Sequence, residues 1–374
     1  MLGLFLVLPV FSLEARQYPG GDDPSLIGLA MGIYGLTQGV LQIPFGLASD
    51  RYGRKRVILF GLLLFAAGSF IAAFAGSLHW LIVGRALQGS GAVSAAVTAL
   101  IADQTRDAVR TKAMALIGAS IGLVFAISLV LSPLLAAQIH LAGLFVLTGV
   151  LALGGMAVVR WWVPPEPMQH NDQPRGRLSD VMGHRGLLRL NLGVFILHAV
   201  QLSMWVAMPT LLVQAGLDKA HHWWVYLPTV LASFFVMGGT LFPMERRGHL
   251  KPVFLTAILL IGLMQLGLLW SMDAPRIGWL AFLLFVFFCG FNVLEATQPS
   301  LASRMAPPQA RGAALGVYNT LQSLGLFAGG ALGGLLLKQH GAGTLFAVNS
   351  VAMLVWLAAA WGMDAPSARA VGGH

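Results

Sequence analysis

Long apolar runs, separated by short polar links, organise this chain from end to end. Only α-helices and closed β-barrels span a bilayer, because every backbone group there needs an internal partner. No run alternates polar and apolar residues with the period of two that a barrel strand requires. The pattern therefore predicts an all-α integral membrane protein with twelve transmembrane helices. The runs are 1–13, 25–49, 57–77, 79–103, 113–137, 142–163, 187–213, 223–244, 252–271, 277–304, 312–337 and 343–363.

The first run is shorter than a membrane crossing. Thirteen helical residues extend about 20 Å, whereas the hydrocarbon core is about 30 Å thick. A secretory signal is not indicated, because the run lacks a basic start and a small-residue cleavage site. We therefore expect helix one to be incomplete and the natural chain to begin upstream.

Composition agrees with the membrane prediction and argues against nucleic acid as a partner. Of 374 residues, 57% are hydrophobic and 10% are charged, against about 25% charged in soluble domains. The net charge of +9 comes from basic residues in short links rather than on one continuous polar face. The expected partner of these residues is the lipid bilayer, whose anionic head groups attract them.

The basic residues concentrate in alternate links, which predicts an orientation. Four residues occupy one set of links: Arg16, Lys219, Arg276 and Lys338. Eighteen occupy the other set: Arg51, Arg54, Lys55, Arg56, Arg106, Arg110, Lys112, Arg160, Arg175, Arg177, Arg185, Arg189, Arg246, Arg247, Lys251, Arg304, Arg311 and Arg369. Because cytoplasmic loops are enriched in lysine and arginine, the second set is expected to be cytoplasmic. Both termini of a complete chain are then cytoplasmic.

The longest polar stretch divides the chain into two related halves. We predict a six-helix bundle over 1–163, a proline-rich cytoplasmic linker over 164–186, a second six-helix bundle over 187–363 and a cytoplasmic tail over 364–374. Asp50-Arg51-Tyr52-Gly53 has a counterpart in Glu245-Arg246-Arg247-Gly248, each after the second helix of its half. Such a repeat of membrane helices is typical of secondary transporters.

Two motifs carry a resemblance to a known family. Residues 46–55, GLASDRYGRK, resemble the loop signature of the major facilitator superfamily, with Ala48 where leucine is more usual. Residues 85–92, RALQGSGA, resemble the fourth-helix signature of its proton-coupled members. The resemblance implies the two-bundle fold and transport by alternating access. The fifth-helix antiporter signature is matched only loosely, by Ser132-Pro133, so coupling other than antiport stays open.

The loop motif suggests a charged latch. Asp50 would lie at the C-terminal, negative end of a helix dipole and needs a cationic partner. Arg51 and Arg54 are close in sequence, and Asp103 could also pair with Arg54. By resemblance, the start of helix eleven packs on this loop when the cytoplasmic side is closed. The latch hypothesis includes Asp50, Arg51, Gly53, Arg54, Lys55 and Asp103. The alternative is that these charges only fix the topology.

Three ionisable residues within the runs are candidates for proton coupling. Arg85 is the only basic residue, and Glu295 the only acid, placed well inside a predicted helix. An intramembrane charge is costly and indicates function by default. His198 is the third candidate, and by resemblance Arg85 is associated with coupling. The alternatives are a structural arginine, a permanently neutral glutamic acid and a histidine that only bridges helices.

Uncharged polar and aromatic residues on the same helices are candidates for a substrate cavity. They are Tyr34, Gln38, Gln42, Gln88, Gln201, Trp205, Asn292, Tyr318, Asn319 and Gln322. Polar bridging between helices would explain any one of them equally well. No enzyme motif, cofactor or metal site is expected, since Cys289 is the only cysteine and no phosphate-binding loop is present.

These observations predict a secondary active transporter in a bacterial inner membrane. We expect a monomer that moves a small organic compound, with protons as the coupling ion and efflux by antiport as the direction that the resemblance implies. A proton symporter, a uniporter, or a membrane sensor or scaffold with the same fold remain alternatives.

Overall fold

The computed structural model describes residues 5–105, 107–164, 181, 183–307 and 310–363, without the side chains of 102, 107–115, 117–119, 242, 245 and 246. Most of the predicted linker, the whole tail and the side chains of the repeat residues Glu245 and Arg246 lie outside this description. The helices are α1 (Leu8–Glu14), α2 (Pro24–Tyr52), α3 (Arg54–Ala73), α4 (Leu78–Ser90), α5 (Ser94–Gln104), α6 (Asp107–Trp161), α7 (Arg185–Gln214), α8 (Trp223–Arg246), α9 (Leu250–Trp270), α10 (Ile277–Met305) and α11 (Arg311–Trp361).

These helices confirm an all-α membrane fold. In the described part of the chain, eight of them are long and apolar enough to cross a membrane. Two of the eight are double, because α6 changes direction at His140 and α11 at Gly341. With α1 as the first predicted helix and α4 and α5 together as the fourth, the segments correspond to the twelve predicted runs.

Both bends use the same unusual backbone conformation. His140 has φ 54° and ψ −176°, and Gly341 has φ 78° and ψ 174°. This region is favourable for glycine and costs other residues about 1–3 kcal/mol. The two bends lie at equivalent places in the two halves, so the structure repeats there although the residue type does not.

The fourth predicted helix differs from the prediction, which made it continuous over 79–103. It is interrupted at residues 91–93, between α4 and α5. Gly89 lies against the backbone of Tyr34 in α2, and Gly91 against that of Gly61 in α3. The interruption therefore falls where the chain is held closely between two neighbouring helices.

The first limb of α11, residues 311–340, packs between α2 and α7. Its Gly325 and Gly329, four residues apart as in close contacts between membrane helices, lie against the backbone of Phe195 and Ala199 in α7. On another face, Gly330 and Gly334 lie against Gly28 of α2. Since α2 belongs to the first half and α11 to the second, this second contact joins the halves.

Ion pairs between the halves lie at one end of the molecule. The "Glu14 end" carries cross-half contacts of Glu14 with Lys219 and of Asp23 with Lys338. At the opposite "Asp50 end", a Cβ added to Gly46 would meet only Ala95 of the same half. One added to Gly316 would meet no atom of the described residues within 4 Å.

Candidate functional site

Three polar side chains from the second half converge near mid-membrane depth. His198 in α7, Glu295 in α10 and Gln322 in α11 lie ten to thirteen residues from the Asp50 ends of their helices. At 1.5 Å per residue, each is about 15–20 Å deep. The His198 Nε2 atom is 3.1 Å from Glu295 Oε1 and 2.8 Å from Gln322 Nε2.

The other imidazole nitrogen fixes the tautomer of His198. Its Nδ1 lies 2.9 Å from the backbone oxygen of Val194, one turn earlier in α7. A carbonyl oxygen only accepts hydrogen bonds, so Nδ1 carries a proton. In the neutral imidazole, Nε2 then offers a single lone pair, towards which the Gln322 amide is turned.

Two groups therefore compete for one nitrogen. Glu295 Oε1 is within ion-pair distance of Nε2 but forms no aligned hydrogen bond with the ring. An added proton, on either the carboxyl group or the imidazole, would allow a direct Glu295–His198 hydrogen bond. Gln322 would then have to release Nε2 or turn its amide oxygen towards it. The three side chains can thus take two arrangements that differ by one proton.

An aromatic ring and several buried polar atoms without hydrogen-bond partners surround this group. The ring of Phe291 packs edge-on to His198, with 6.1 Å between ring centroids. Within the described part of the chain, the Tyr318 hydroxyl and both amide atoms of Gln298 are buried and have no hydrogen-bond partner. An unsatisfied buried polar group costs about 1–3 kcal/mol. These atoms therefore suit contact with water or a polar group of a bound compound.

Arg85 belongs to a separate group in the first half. It is 3% exposed, donates to Gln88 Oε1 at 2.9 Å, and lies over the ring of Tyr34 at 4.9 Å from the centroid. Gln88 in turn donates to Ser69 at 2.7 Å. Among the described residues, no carboxylate lies within ion-pair distance of Arg85. Its positive charge is stabilised by amide, carbonyl and aromatic groups instead.

Several of the predicted cavity residues also form contacts within one half. Gln42 exchanges hydrogen bonds with Ser94 at 2.9 and 3.0 Å, and Asn292 donates to Ser233 at 2.8 Å. Trp205 is fully buried against Tyr226. Gln201 is buried, whereas Gln38 and Asn319 are partly exposed. Gln322 contacts His198, and the Tyr318 hydroxyl lies close enough to Glu295 to interact with its charge. A cavity shared by all of the predicted residues stays a prediction.

Arg54 is the centre of the predicted latch residues. It pairs with Asp50 and, at 3.1 Å, with Asp103, as the sequence suggested. Gly53, with φ 97°, makes the tight turn between α2 and α3. Lys55 donates to the backbone oxygen of Val163 at 2.7 Å, and Arg51 packs on Tyr52. These contacts lie within the first half, and a latch to the second half stays a prediction.

Sequence reasoning missed a cluster at the Glu14 end. Glu14 is 2% exposed, and its Oε1 accepts a hydrogen bond from Lys219 Nζ at 2.6 Å. His140 Nδ1 lies 3.9 Å from Oε2 of the same carboxylate. The sequence places Glu14 and Lys219 in polar links, where charged residues are expected to be solvated. Their location in links on the same predicted side was the only signal that could have paired them.

Comparisons with known proteins extend over nearly the whole chain. The model of the Major Facilitator Superfamily matches residues 1–329, with a second, overlapping match over 244–372. The inner membrane transport protein YajR of Escherichia coli K12 is 42% identical over 370 residues, which cover 98% of this chain and 81% of YajR. The multidrug resistance protein MdtH of Aeromonas hydrophila is 29% identical over 346 residues, covering 89% and 82% of the two chains.

A solved structure shares the fold at low sequence identity. The auto-inhibited peptide transporter of the POT family superposes with a TM-score of 0.75 at 14% identity, over 98% of this chain and 95% of the other. The relatives are thus transporters rather than enzymes, and YajR is described as an inner membrane protein. The chain is accordingly a multi-pass inner-membrane transporter, and it belongs to the Major Facilitator Superfamily.

Proposed function

We propose that this transporter exports a small organic compound from the cytoplasm in exchange for protons. The two halves, acting as a monomer, would expose a central site alternately to the two sides of the membrane. The description of MdtH as a multidrug resistance protein supports export, and the largely uncharged residues near mid-depth fit an organic compound with few charges.

The distribution of basic residues supports the orientation. Lysine and arginine concentrate at the Asp50 end, which is therefore taken as cytoplasmic. Ion pairs join the halves at the Glu14 end, whereas a Cβ added to Gly46 or Gly316 at the Asp50 end would meet no described atom of the other half within 4 Å. We infer that this conformation is open towards the cytoplasm, where it would receive a compound for export.

The observation that carries proton coupling is the His198–Glu295–Gln322 group. Gln322 of α11 is a partner of His198 in the present arrangement. One added proton would release Gln322 or reverse the direction of its hydrogen bond with His198. Because α11 also packs on α2 of the first half, a change in this hydrogen bond would act on a helix at the interface of the halves. Arg85 contributes a buried charge in the first half that has no carboxylate partner among the residues the structure describes.

The test uses purified protein in liposomes, with ethidium and tetracycline as probe compounds. A pH difference of one unit across the membrane is worth about 1.4 kcal/mol per proton. If one proton is exchanged for one probe molecule, this difference should support about a tenfold concentration gradient of the probe. Glu295→Gln keeps the side-chain size but cannot release a proton. We expect it to abolish the response to the pH gradient, whereas Asp273→Asn, in an exposed link, should leave the response intact.

Infrared spectroscopy provides a measurement that needs no substrate. A carboxyl band that appears on acidification and disappears in Glu295→Gln would support a proton on this pair. Full coupling in the Glu295→Gln variant would contradict the proposal. Probe movement along the proton gradient would indicate symport, gradient-independent movement a uniporter, and binding without flux a sensor.

A further inference from the structure

Glu14 occupies an unusual place for an acidic residue. Among the described residues it is the only acid that is almost wholly buried, at 2% exposure. It ends α1 in the first half, and its partner Lys219 begins the short 3₁₀ helix before α8 in the second half. The hydrogen bond of 2.6 Å between them therefore crosses from one half to the other.

Few other groups are placed to compensate the Glu14 charge. A cavity of about 10 Å³ beside it, lined by Pro133, Lys219 and His222 among others, has room for one water at most. Tyr18 lies close to Glu14 but carries no positive charge. The His140 ring is 3.9 Å from the Glu14 carboxylate, but this side chain is largely exposed. Lys219, itself 44% exposed, is thus the main partner of a desolvated carboxylate.

A second cross-half pair at the same end provides a comparison. Lys338 Nζ lies 2.7 Å from Asp23 Oδ2, and both side chains are partly exposed. The hydrogen bond from Lys338 holds the pKa of Asp23 below its ordinary value, so this pair stays charged near neutral pH. Water solvates both charges whether or not the halves are joined, and exposed pairs contribute little.

We propose that the Glu14–Lys219 ion pair is the polar contact that keeps the Glu14 end closed. It is a positioning pair for the transport cycle, and the inference rests on the proposed alternating access. Closing this end removes water from Glu14, and Lys219 is the main group that compensates the buried charge. Opening it separates α1 from the 3₁₀ helix and returns both charges to water.

If compensation of the buried Glu14 charge stabilises the closed state, substitutions of the two partners should have unequal effects. Lys219→Met leaves the Glu14 charge uncompensated in the closed state, and breaking a buried pair in this way is strongly unfavourable. Glu14→Gln removes the charge that needed compensation, while Lys219 can turn towards water. Lys219→Met should therefore open this end more than Glu14→Gln. The double variant should resemble Glu14→Gln.

The experiment measures the distance between spin labels at the Glu14 end by electron paramagnetic resonance. The labels are attached to cysteines at His79 and Ala274, which are exposed on opposite halves, in a Cys289→Ser background in lipid nanodiscs. We expect Lys219→Met to lower the closed-to-open ratio about tenfold or more. Lys219→Arg, which keeps the charge, should restore it, and Asp23→Asn is the matched control with little effect.

The inference is overturned if Lys219→Met leaves the distance distribution unchanged. It is also overturned if Asp23→Asn has as large an effect, or if the double variant is as open as Lys219→Met. Lys219→Gln repeats the test if the methionine variant does not fold. The measurement uses neither substrate nor a pH gradient, so it is independent of proton coupling: opening without coupled flux would reject only the proposed function.

Discussion

At the residue scale, the fold gives two glutamates very different surroundings. The Glu295 side chain is 32% exposed and lies beside a histidine and an amide, whereas Glu14 is 2% exposed and paired with one lysine. Glu295 can be identified from the sequence, because it interrupts a long apolar run. The burial of Glu14 depends on Lys219, 205 residues away and in the other half, and no local pattern contains that information.

His140 is a further residue whose position the sequence does not reveal. Its backbone conformation is one that glycine adopts readily, as Gly341 does at the equivalent bend. We expect His140→Gly to stabilise the protein by about 1 kcal/mol through loss of this strain. The substitution also removes the contact of His140 with Glu14, but this should cost little stability because the His140 side chain is 69% exposed.

Thermal unfolding in detergent, followed by tryptophan fluorescence, checks this expectation. His79→Gly is the matched control, since His79 is an exposed residue with helical backbone in α4. There glycine should destabilise the protein, by about 0.5 kcal/mol or less. A lower stability of His140→Gly would show that the bend is not strained.

At the element scale, α11 uses glycine for two different contacts. Gly329 packs on Ala199 of α7 inside the second half, and Gly334 packs on α2 across the halves. The glycine spacing predicts close helix contacts but not their partners, since a spacing fixes a face and not its neighbour. For the same reason, the sequence predicted the helices well and missed the interruption at 91–93, which arises from contacts with α2 and α3.

We expect alanine at these two glycines to have separable effects. Gly334→Ala places a methyl group against the backbone of α2 and should favour the state in which the Glu14 end is open. Gly329→Ala places it against Ala199 within one half and should lower thermal stability without this shift. Label distances between His79 and Ala274, together with unfolding temperatures, distinguish the two.

Gly316→Ala is the control for both variants, because a Cβ there meets no described atom within 4 Å. It should leave the label distance unchanged and should not lower the unfolding temperature, because helix propensity favours alanine. Equal effects of Gly334→Ala and Gly329→Ala on the label distance would contradict the assignment of α2–α11 as the cross-half contact.

At the scale of the whole molecule, the two ends carry different kinds of charged contact. The Glu14 end has ion pairs that cross the halves, whereas the described pairs of Arg54 at the Asp50 end lie within the first half. The predicted latch would join the halves at the Asp50 end only in the opposite state. The two sets of charges would then stabilise opposite conformations of one cycle.

Asp50→Asn tests this arrangement. If Asp50 helps to close its end, its loss should favour the present state, with the Glu14 end closed, and slow the transport cycle. Combined with Lys219→Met, it should partly restore the closed Glu14 end. The label distances measure both effects. An unchanged distribution and unchanged probe flux in Asp50→Asn would reject the latch and leave the topological role of the charges.

The bends in α6 and α11 also limit how each half can change shape. The two limbs of α6 are joined through a single residue, His140, and not through a loop. The two limbs of α11 are joined in the same way through Gly341. Because no flexible segment separates the two limbs, one limb cannot shift along its axis without moving the other. The two limbs of each helix should therefore move together during transport. An insertion at residue 140 or 341 would uncouple them and should stop transport even if the chain still folds.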